Sequence, residues 1–354
     1  MRSRVLGSVL FGFGVLALVF AGGLAFVVAP TAAQLPYDME LTQSVAEAPN
    51  ARFLQIKDGK ATIETGTARS TVTVQPDSQA TAKLEGDLDG TALVWLAGQE
   101  VIRTDTNEVI SAYSTSLAVD RKSGEAQDWK GQWLDTGSDR EDIKYQGQVY
   151  KFPFGTEKKT YQYFDRDTLK AYPAQFVETE EIEGLETYKF TSQIQNGTQV
   201  LPEDRVQLLL GQLIPGATAG SVTYNNTRTL WVEPVTGQYI KVEEQQQKTL
   251  VASDGRSVEL LNAVFTYTGD TSKRAAETAS ENKSKLNLVG LWGPLVLGIV
   301  GLILAIAGIV LVSRGPKSSG GAVQGGRHAA PAGGAASEQR TEEIATAGAD
   351  KSDR

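Results

Sequence analysis

The chain has 354 residues, a formal charge of −8, one histidine and no cysteine. Without cysteine an exported domain must fold on its apolar core alone. The single histidine, His328, lies close to the C-terminus, which leaves the body of the chain without Ser-His-Asp, Cys-His or histidine-metal chemistry. Between residues 30 and 285 the balance deepens to −11, with 37 Asp and Glu against 26 Lys and Arg, a surface that repels nucleic acid and anionic headgroups.

Arg2 and Arg4 precede an uncharged run from Val5 to Ala29. The layout fits a cleaved signal peptide or an uncleaved anchor, and the length, beyond the 7 to 15 apolar residues of a usual signal core, points to an anchor. Ala17, Ala21, Ala25 and Ala29 recur at every fourth position, a stripe suited to packing on another membrane helix. Alanine is also common in such helices for no special reason.

From Tyr37 to Tyr113 apolar and polar residues alternate in short runs, among them Ala61–Glu64, Thr71–Val74 and Leu93–Leu96, separated by turn formers such as Asp58-Gly59 and Asp89-Gly90. This is the pattern of antiparallel strands joined by tight turns. Glu85-Gly-Asp-Leu-Asp-Gly90 imitates the start of a calcium loop, but Leu96 stands where a bidentate Glu is needed, so an acidic turn is the simpler reading.

Leu117-Ala-Val-Asp-Arg-Lys-Ser-Gly124 and Leu230-Trp-Val-Glu-Pro-Val-Thr-Gly237 share one pattern, and Tyr163-Phe-Asp-Arg-Asp-Thr-Leu169 repeats it without the glycine. Each reads as a strand entering a turn, where the acid accepts local backbone N–H groups and the last position takes positive φ. Eleven aromatics crowd between Trp129 and Phe176, as sheet core or as the lining of a ligand groove. The acids Asp135, Asp139, Glu141 and Asp142 there fit no metal loop and read as a solvated surface.

Pro202-Glu-Asp opens an amphipathic helix with Val206, Leu209, Leu210, Leu213 and Ile214 on one face, stopped by Pro215-Gly216. Two further strands, 228–242 and 257–267, lead through polar residues to a second apolar run, Leu286–Val312. About 25 helical residues at about 1.5 Å each cross the hydrocarbon core with some tilt. Pro294 sits one turn inside its outer end, where a membrane helix tolerates it. The domain plan is a transmembrane helix at 5–29, an ectodomain at 30–285, a second transmembrane helix at 286–312, and a disordered cytoplasmic tail at 313–354 rich in Gly, Ala and Ser.

Lys151-Phe-Pro-Phe-Gly-Thr-Glu-Lys-Lys-Thr-Tyr-Gln-Tyr-Phe-Asp165, Gly184-Leu-Glu-Thr-Tyr-Lys-Phe190 and Trp231-Val-Glu-Pro-Val-Thr-Gly237, set between two anchors, resemble the actinobacterial PorA porin family. The resemblance covers nearly the whole chain up to the tail. It implies a cell-envelope protein and brings no catalytic residues. A membrane β-barrel needs lipid-facing apolar strands, whereas these strands read as short and polar on one face. The Trp231–Gly237 hairpin is also similar to one in bacterial lipoprotein-carrier domains, and the two-anchor layout to the CD36 scavenger-receptor group. Both similarities imply lipid handling.

The expected fold is α+β, a mainly antiparallel β ectodomain with one amphipathic helix between two transmembrane helices. The expected function is a non-enzymatic plasma-membrane protein of the envelope whose ectodomain binds membrane lipid or a lipoglycan, with no cofactor, no metal and no nucleic-acid partner. The alternatives are a scaffold that binds other envelope proteins and, among enzymes, a carboxylate-dependent hydrolase for which no motif is visible. The expected ligand site lies between the sheet and the helix, with Val206, Leu209, Leu210 and Leu213 closing it and Trp133, Phe154 and Trp231 as walls. Arg2, Arg4, Arg314 and Lys317 flank the anchors and place both termini in the cytoplasm. Protease added to wall-stripped cells should therefore remove the loop and spare a tag fused at Arg354; loss of the tag with survival of the loop would reverse the orientation.

Overall fold

The computed structural model describes residues 2–137 and 140–314. Asp139, Lys317, His328 and the tail read as disordered lie outside the described residues. There are three principal helices: α1 (Ser3–Ala32), α2 (Glu203–Leu213) and α3 (Gly269–Ser313). Two long apolar helices fall where the apolar runs predict helices, but α3 begins well before its apolar part. Thr268 caps it by accepting a hydrogen bond from the Thr271 N–H (3.2 Å), and Asp270 lies in its first turn. Ala276 and Ala279 then pack on Ile240, so the polar stretch is helical because one face of it is buried.

Both anchors contain a π turn, Leu24–Val28 in α1 and Leu288–Trp292 in α3, and each is followed two residues later by a proline, Pro30 and Pro294. Proline's ring collides with the carbonyl four residues back. In both cases that residue, Phe26 or Gly290, lies inside the widened turn, which relieves the collision. The helices pack through small residues, with Gly7, Gly14 and Ala21 of α1 buried against Gly301, Ala305 and Gly308 of α3. A methyl group on Gly14 would meet the Ala305 nitrogen at 2.5 Å and the Gly301 oxygen at 2.7 Å. The contact uses Ala21 of the predicted stripe, with Gly301 and Ala305 on α3. On α1 its seven-residue spacing leaves Ala17, Ala25 and Ala29 half-buried at the margin.

The ectodomain is one antiparallel sheet of twelve strands: β1 (Thr42–Lys57), β2 (Lys60–Pro76), β3 (Ala92–Arg103), β4 (Val109–Asp120), β5 (Trp133–Asp135), β6 (Glu141–Asp142), β7 (Tyr161–Asp165), β8 (Lys170–Ile182), β9 (Leu185–Thr198), β10 (Gly220–Glu233), β11 (Gln238–Ala252) and β12 (Ser257–Tyr267). Their order is β6-β5-β4-β3-β2-β1-β12-β11-β10-β9-β8-β7. Most are not short: β1 and β2 have 16 and 17 residues. Ala61–Glu64 and Thr71–Val74, read from sequence as separate runs, belong to the same strand, β2. The two ends of the sheet are drawn together by single bridges: Val119 of β4 to Ala126, Glu125 to Gln148, and Gln148 to Tyr163 of β7. The sheet therefore curls into a nearly closed barrel.

The barrel has two unlike ends. At the end remote from the anchors α2 packs Leu209, Leu210 and the following Ile214 against Val222, Leu250 and Leu260. Gln212 fixes its position, accepting from the Ala61 N–H (2.6 Å) and donating to the Gly59 carbonyl (2.7 Å). The three repeated turns form as predicted, those after Asp120 and Glu233 at the other end and the one after Asp165 on the opposite side of β7, up the barrel beside Lys248. The carboxylates of Asp120, Asp165 and Glu233 accept from the N–H and hydroxyl of Ser123, Thr168 and Thr236. Gly124, Leu169 and Gly237 take φ of 67°, 53° and 70°.

The segment 152–156 is stapled between two of these turns. The Phe152 N–H donates to the Gly237 carbonyl, Phe154 to Lys122, Gly155 to Val235 and Thr156 to Pro234. A methyl group on Gly237 would run into the carbonyl oxygens of Phe152 and Pro153, while one on Gly124 would meet the Lys151 oxygen at 3.2 Å. Both substitutions force alanine into the left-handed region at about 1–2 kcal/mol. Gly237→Ala is therefore expected to lower the melting temperature of the full-length protein clearly more than Gly124→Ala. Equal losses would show that the staple is not tight at Gly237.

A chamber open toward the anchors

Inside the curled sheet lies a chamber of about 940 Å³, at the upper end of the range of small-molecule sites. Its side walls are the inner faces of β1–β4 and β10–β12, with the 145–167 segment completing the ring. One wall is apolar, including Phe53, Val72, Val101, Ile110, Leu261 and Phe265. The floor is formed by residues 32–36 after α1 and by one face of α3: Thr271, Arg274, Thr278, Asn282, Leu286 and Val289. The last two belong to the apolar part of α3, a helix long and apolar enough to cross a membrane, so the chamber opens beside the two apolar helices. A second, shallower cavity of about 580 Å³ lies at the same junction, between the 154–156 staple, Lys283 and Leu291. Lys283 ties α3 to the third turn through Glu233 (3.1 Å).

The opposite wall carries six charged side chains. Arg228 donates to Glu244 (2.6 Å) and lies 3.6 Å from Asp165, and Lys248 donates to Asp167 (2.7 Å). The Arg166 guanidinium is 3.8 Å from Asp167 and lies over the Tyr113 ring at 3.9 Å. Burial opposes ionisation of every acid here. For Asp167 the charges of Lys248 and Arg166 outweigh it and take the carboxyl down to about 2. For Glu244 the Arg228 contact also wins and its pKa is lowered. For Asp165 burial prevails over Arg228, helped by the charge of Asp167, and its pKa is raised. Lys151 lines the chamber near the staple, where it donates to the Phe152 carbonyl (2.7 Å) and the Thr236 carbonyl (2.5 Å). Burial lowers its pKa to about 7, with Glu233 pulling in the other direction.

The residues expected to form a site are divided. Val206, Leu209, Leu210 and Leu213 meet in the packed cluster under α2, and none of them lines the chamber. Trp231 lies on β10 with its indole donating to Glu180 (2.8 Å), and Trp133 lies on β5, next to the edge strand β6, under Arg140. Phe154 alone among the seven lines the chamber. The aromatic crowd serves both expected purposes. Phe152 and Tyr161 pack with Phe190 in the core, whereas Tyr145, Tyr150, Tyr163 and Phe164 face the chamber. The charged wall was missed, although a signal for it exists. Residues 243–248 of β11, Glu-Glu-Gln-Gln-Gln-Lys, are polar at both parities. A strand with one water-facing side and one packed side alternates instead. Among the described residues no group of three His, Cys, Asp or Glu could hold a metal ion.

The sequence pattern of the Porin PorA family matches residues 6–310, from inside the first anchor to the end of the second. The chain belongs to the Porin PorA family. Its relatives include a protein described as Porin PorA from Corynebacterium resistens, 24% identical over 313 residues that cover 67% of this chain and 76% of the relative. Another of that description, from Corynebacterium amycolatum, is 23% identical over 209 residues, 48% of this chain and 54% of the relative. The matched region contains both anchors and all twelve strands, so the chamber and its opening belong to the family's part of the chain.

The depressed pKa of Lys151 gives a pH test. From about pH 7 to about 10.4 the unfolded chain keeps a proton on this lysine that the folded chain has released, so its contribution to stability rises with pH across that window. Lys151→Met removes the term. The variant's melting temperature relative to the natural protein should thus be highest near pH 6 and fall toward pH 9; a constant difference would mean that Lys151 keeps an ordinary pKa.

Proposed function

We propose that this protein is a non-enzymatic, two-anchor envelope protein whose ectodomain takes an amphipathic lipid out of the outer leaflet and holds it in the chamber. The observation that carries the reading is the continuous lining along one face of α3. Thr271, Arg274, Thr278, Asn282, Leu286 and Val289 follow one another at helical spacing from the barrel interior into the bilayer-crossing segment. An acyl chain can follow that face without passing through water. Each CH₂ transferred from water to the apolar wall contributes about 0.8 kcal/mol, so about ten of them outweigh the cost of ordering the chain.

The membrane contact belongs to the helices rather than to the strands. Outward positions of the sheet such as Glu178, Glu181, Gln245 and Gln247 are exposed and polar. A membrane barrel has an apolar band there, about 25 Å tall. Large side chains of the anchors, Phe20, Val19, Ile303 and Leu302 among them, are exposed to their surroundings. The localisation that follows is the plasma membrane, with the ectodomain outside and the termini in the cytoplasm.

Full-length protein extracted in mild detergent should carry lipid detectable by native mass spectrometry and organic extraction. Thr278→Trp places an indole in the passage without touching the core. It should abolish the bound lipid while leaving the melting temperature within a few degrees. Natural protein that is free of lipid and takes up no labelled fatty acid or phospholipid would remove this reading.

A further inference from the structure

Hydrogen-bond donors and acceptors on the charged wall do not balance. Arg228 and Lys248 spend their donors on Glu244 and Asp167, and Asp167 also accepts from Gln199 (2.8 Å). Arg166 differs. Its guanidinium presents up to five N–H donors, yet among the described residues it donates no hydrogen bond. Its nearest carboxylate, Asp167, stands at 3.8 Å with Asp165 beyond it, and the aromatic face of Tyr113 supports it from one side. The Arg166 side chain is 30% exposed and lines the chamber. Tyr113 beneath it is held by the Tyr150 hydroxyl, 3.2 Å from its own. The donors that Arg166 leaves unused therefore border the empty volume.

The field in the chamber has the opposite sign to that of the protein. The chain as a whole carries −8, but six basic and four acidic side chains line the chamber. The acids Asp165, Asp167 and Glu244 are already engaged by Arg228 and Lys248. Arg274 and Lys285 lie on the α3 face between the membrane and the barrel. An anion moving along that face meets a cation at the mouth, another half-way and Arg166 inside. Glu244 and Lys248 lie six and ten residues up β11 from its anchor-side start at Gln238, roughly 20–30 Å at about 3.3 Å per residue. A headgroup at that depth leaves its tail along the apolar wall toward the opening.

We propose that Arg166 forms an oxyanion-binding site, and that the lipid held in the chamber is one whose headgroup ends in a carboxylate or a phosphate. The planar guanidinium meets two oxygens of such a group with parallel hydrogen bonds. The inference rests on the lipid reading for the tail, while the anion site can be tested apart from it.

The test uses full-length protein in detergent and four probes: oleate, oleoyl lysophosphatidate, oleyl alcohol and inorganic phosphate. The two anionic chains are expected to bind more tightly than the alcohol. Arg166→Gln should lower their affinity about tenfold or more and leave the alcohol unchanged. Arg166→Lys, which keeps the charge and loses the fork, should fall between. The ratio of oleate to lysophosphatidate affinity identifies which oxyanion the site takes. If Arg166→Gln binds anionic and neutral chains as the natural protein does, the oxyanion site is wrong and the lipid reading stands. If no chain binds but inorganic phosphate does, and Arg166→Gln loses it, the anion site stands and the lipid reading falls. Binding of none of the four overturns both.

Discussion

The number of strands decides what this ectodomain can be. A closed sheet of about eight strands leaves an interior that side chains just fill, and each added strand widens it. Twelve strands whose ends are bridged through Gln148 enclose more space than the inward residues of β1–β4 and β10–β12 occupy. The chain responds in two ways. It plugs one end with α2, and it leaves the middle open, lined on one side by apolar residues and on the other by paired charges. The chamber thus follows from the architecture.

The same constraint explains which parts of the fold could be read in the sequence. The two apolar helices were legible because length and absence of charge suffice to identify them, and α2 because its apolar face is packed. The three turns were legible because an acid, a hydroxyl and a final residue at positive φ are local chemistry; Leu169 accepts that conformation where its two counterparts use glycine. Strand lengths were not legible. Inward residues that face a cavity need not be apolar, so alternation faded wherever β2 or β11 passed the chamber, and one strand read as two. The charged wall was hidden for a related reason. Asp165, Asp167, Arg228, Glu244 and Lys248 come from three strands and the turn after β7, and only the curl of the sheet brings them together.

The segment at 151–156 has a structural task that its sequence does not suggest. It supplies backbone N–H groups to the carbonyls of two turns that lie far apart in the chain, 121–124 and 233–237. Since buried backbone groups need partners, this pairing holds the ring together where no regular strand closes it. The Lys151 ammonium, directed at two carbonyls beneath the staple, makes the junction sensitive to the local proton concentration.

With the apolar part of α3 in a bilayer, as proposed, the continuity of α3 would also make the bilayer a mechanical input to the chamber. At about 1.5 Å per residue its 45 residues form a rod about 68 Å long, of which hydrocarbon would hold about 30 Å. Membrane helices adjust their tilt to the thickness of the layer around them. A change of about 5° would carry a point about 30 Å beyond the membrane sideways by about 2.5 Å, comparable with the width of a methylene chain. The upper part of this rod is the floor of the chamber. Thin and thick membrane regions would therefore set different apertures in the same protein, with no effector other than the lipid composition beneath it.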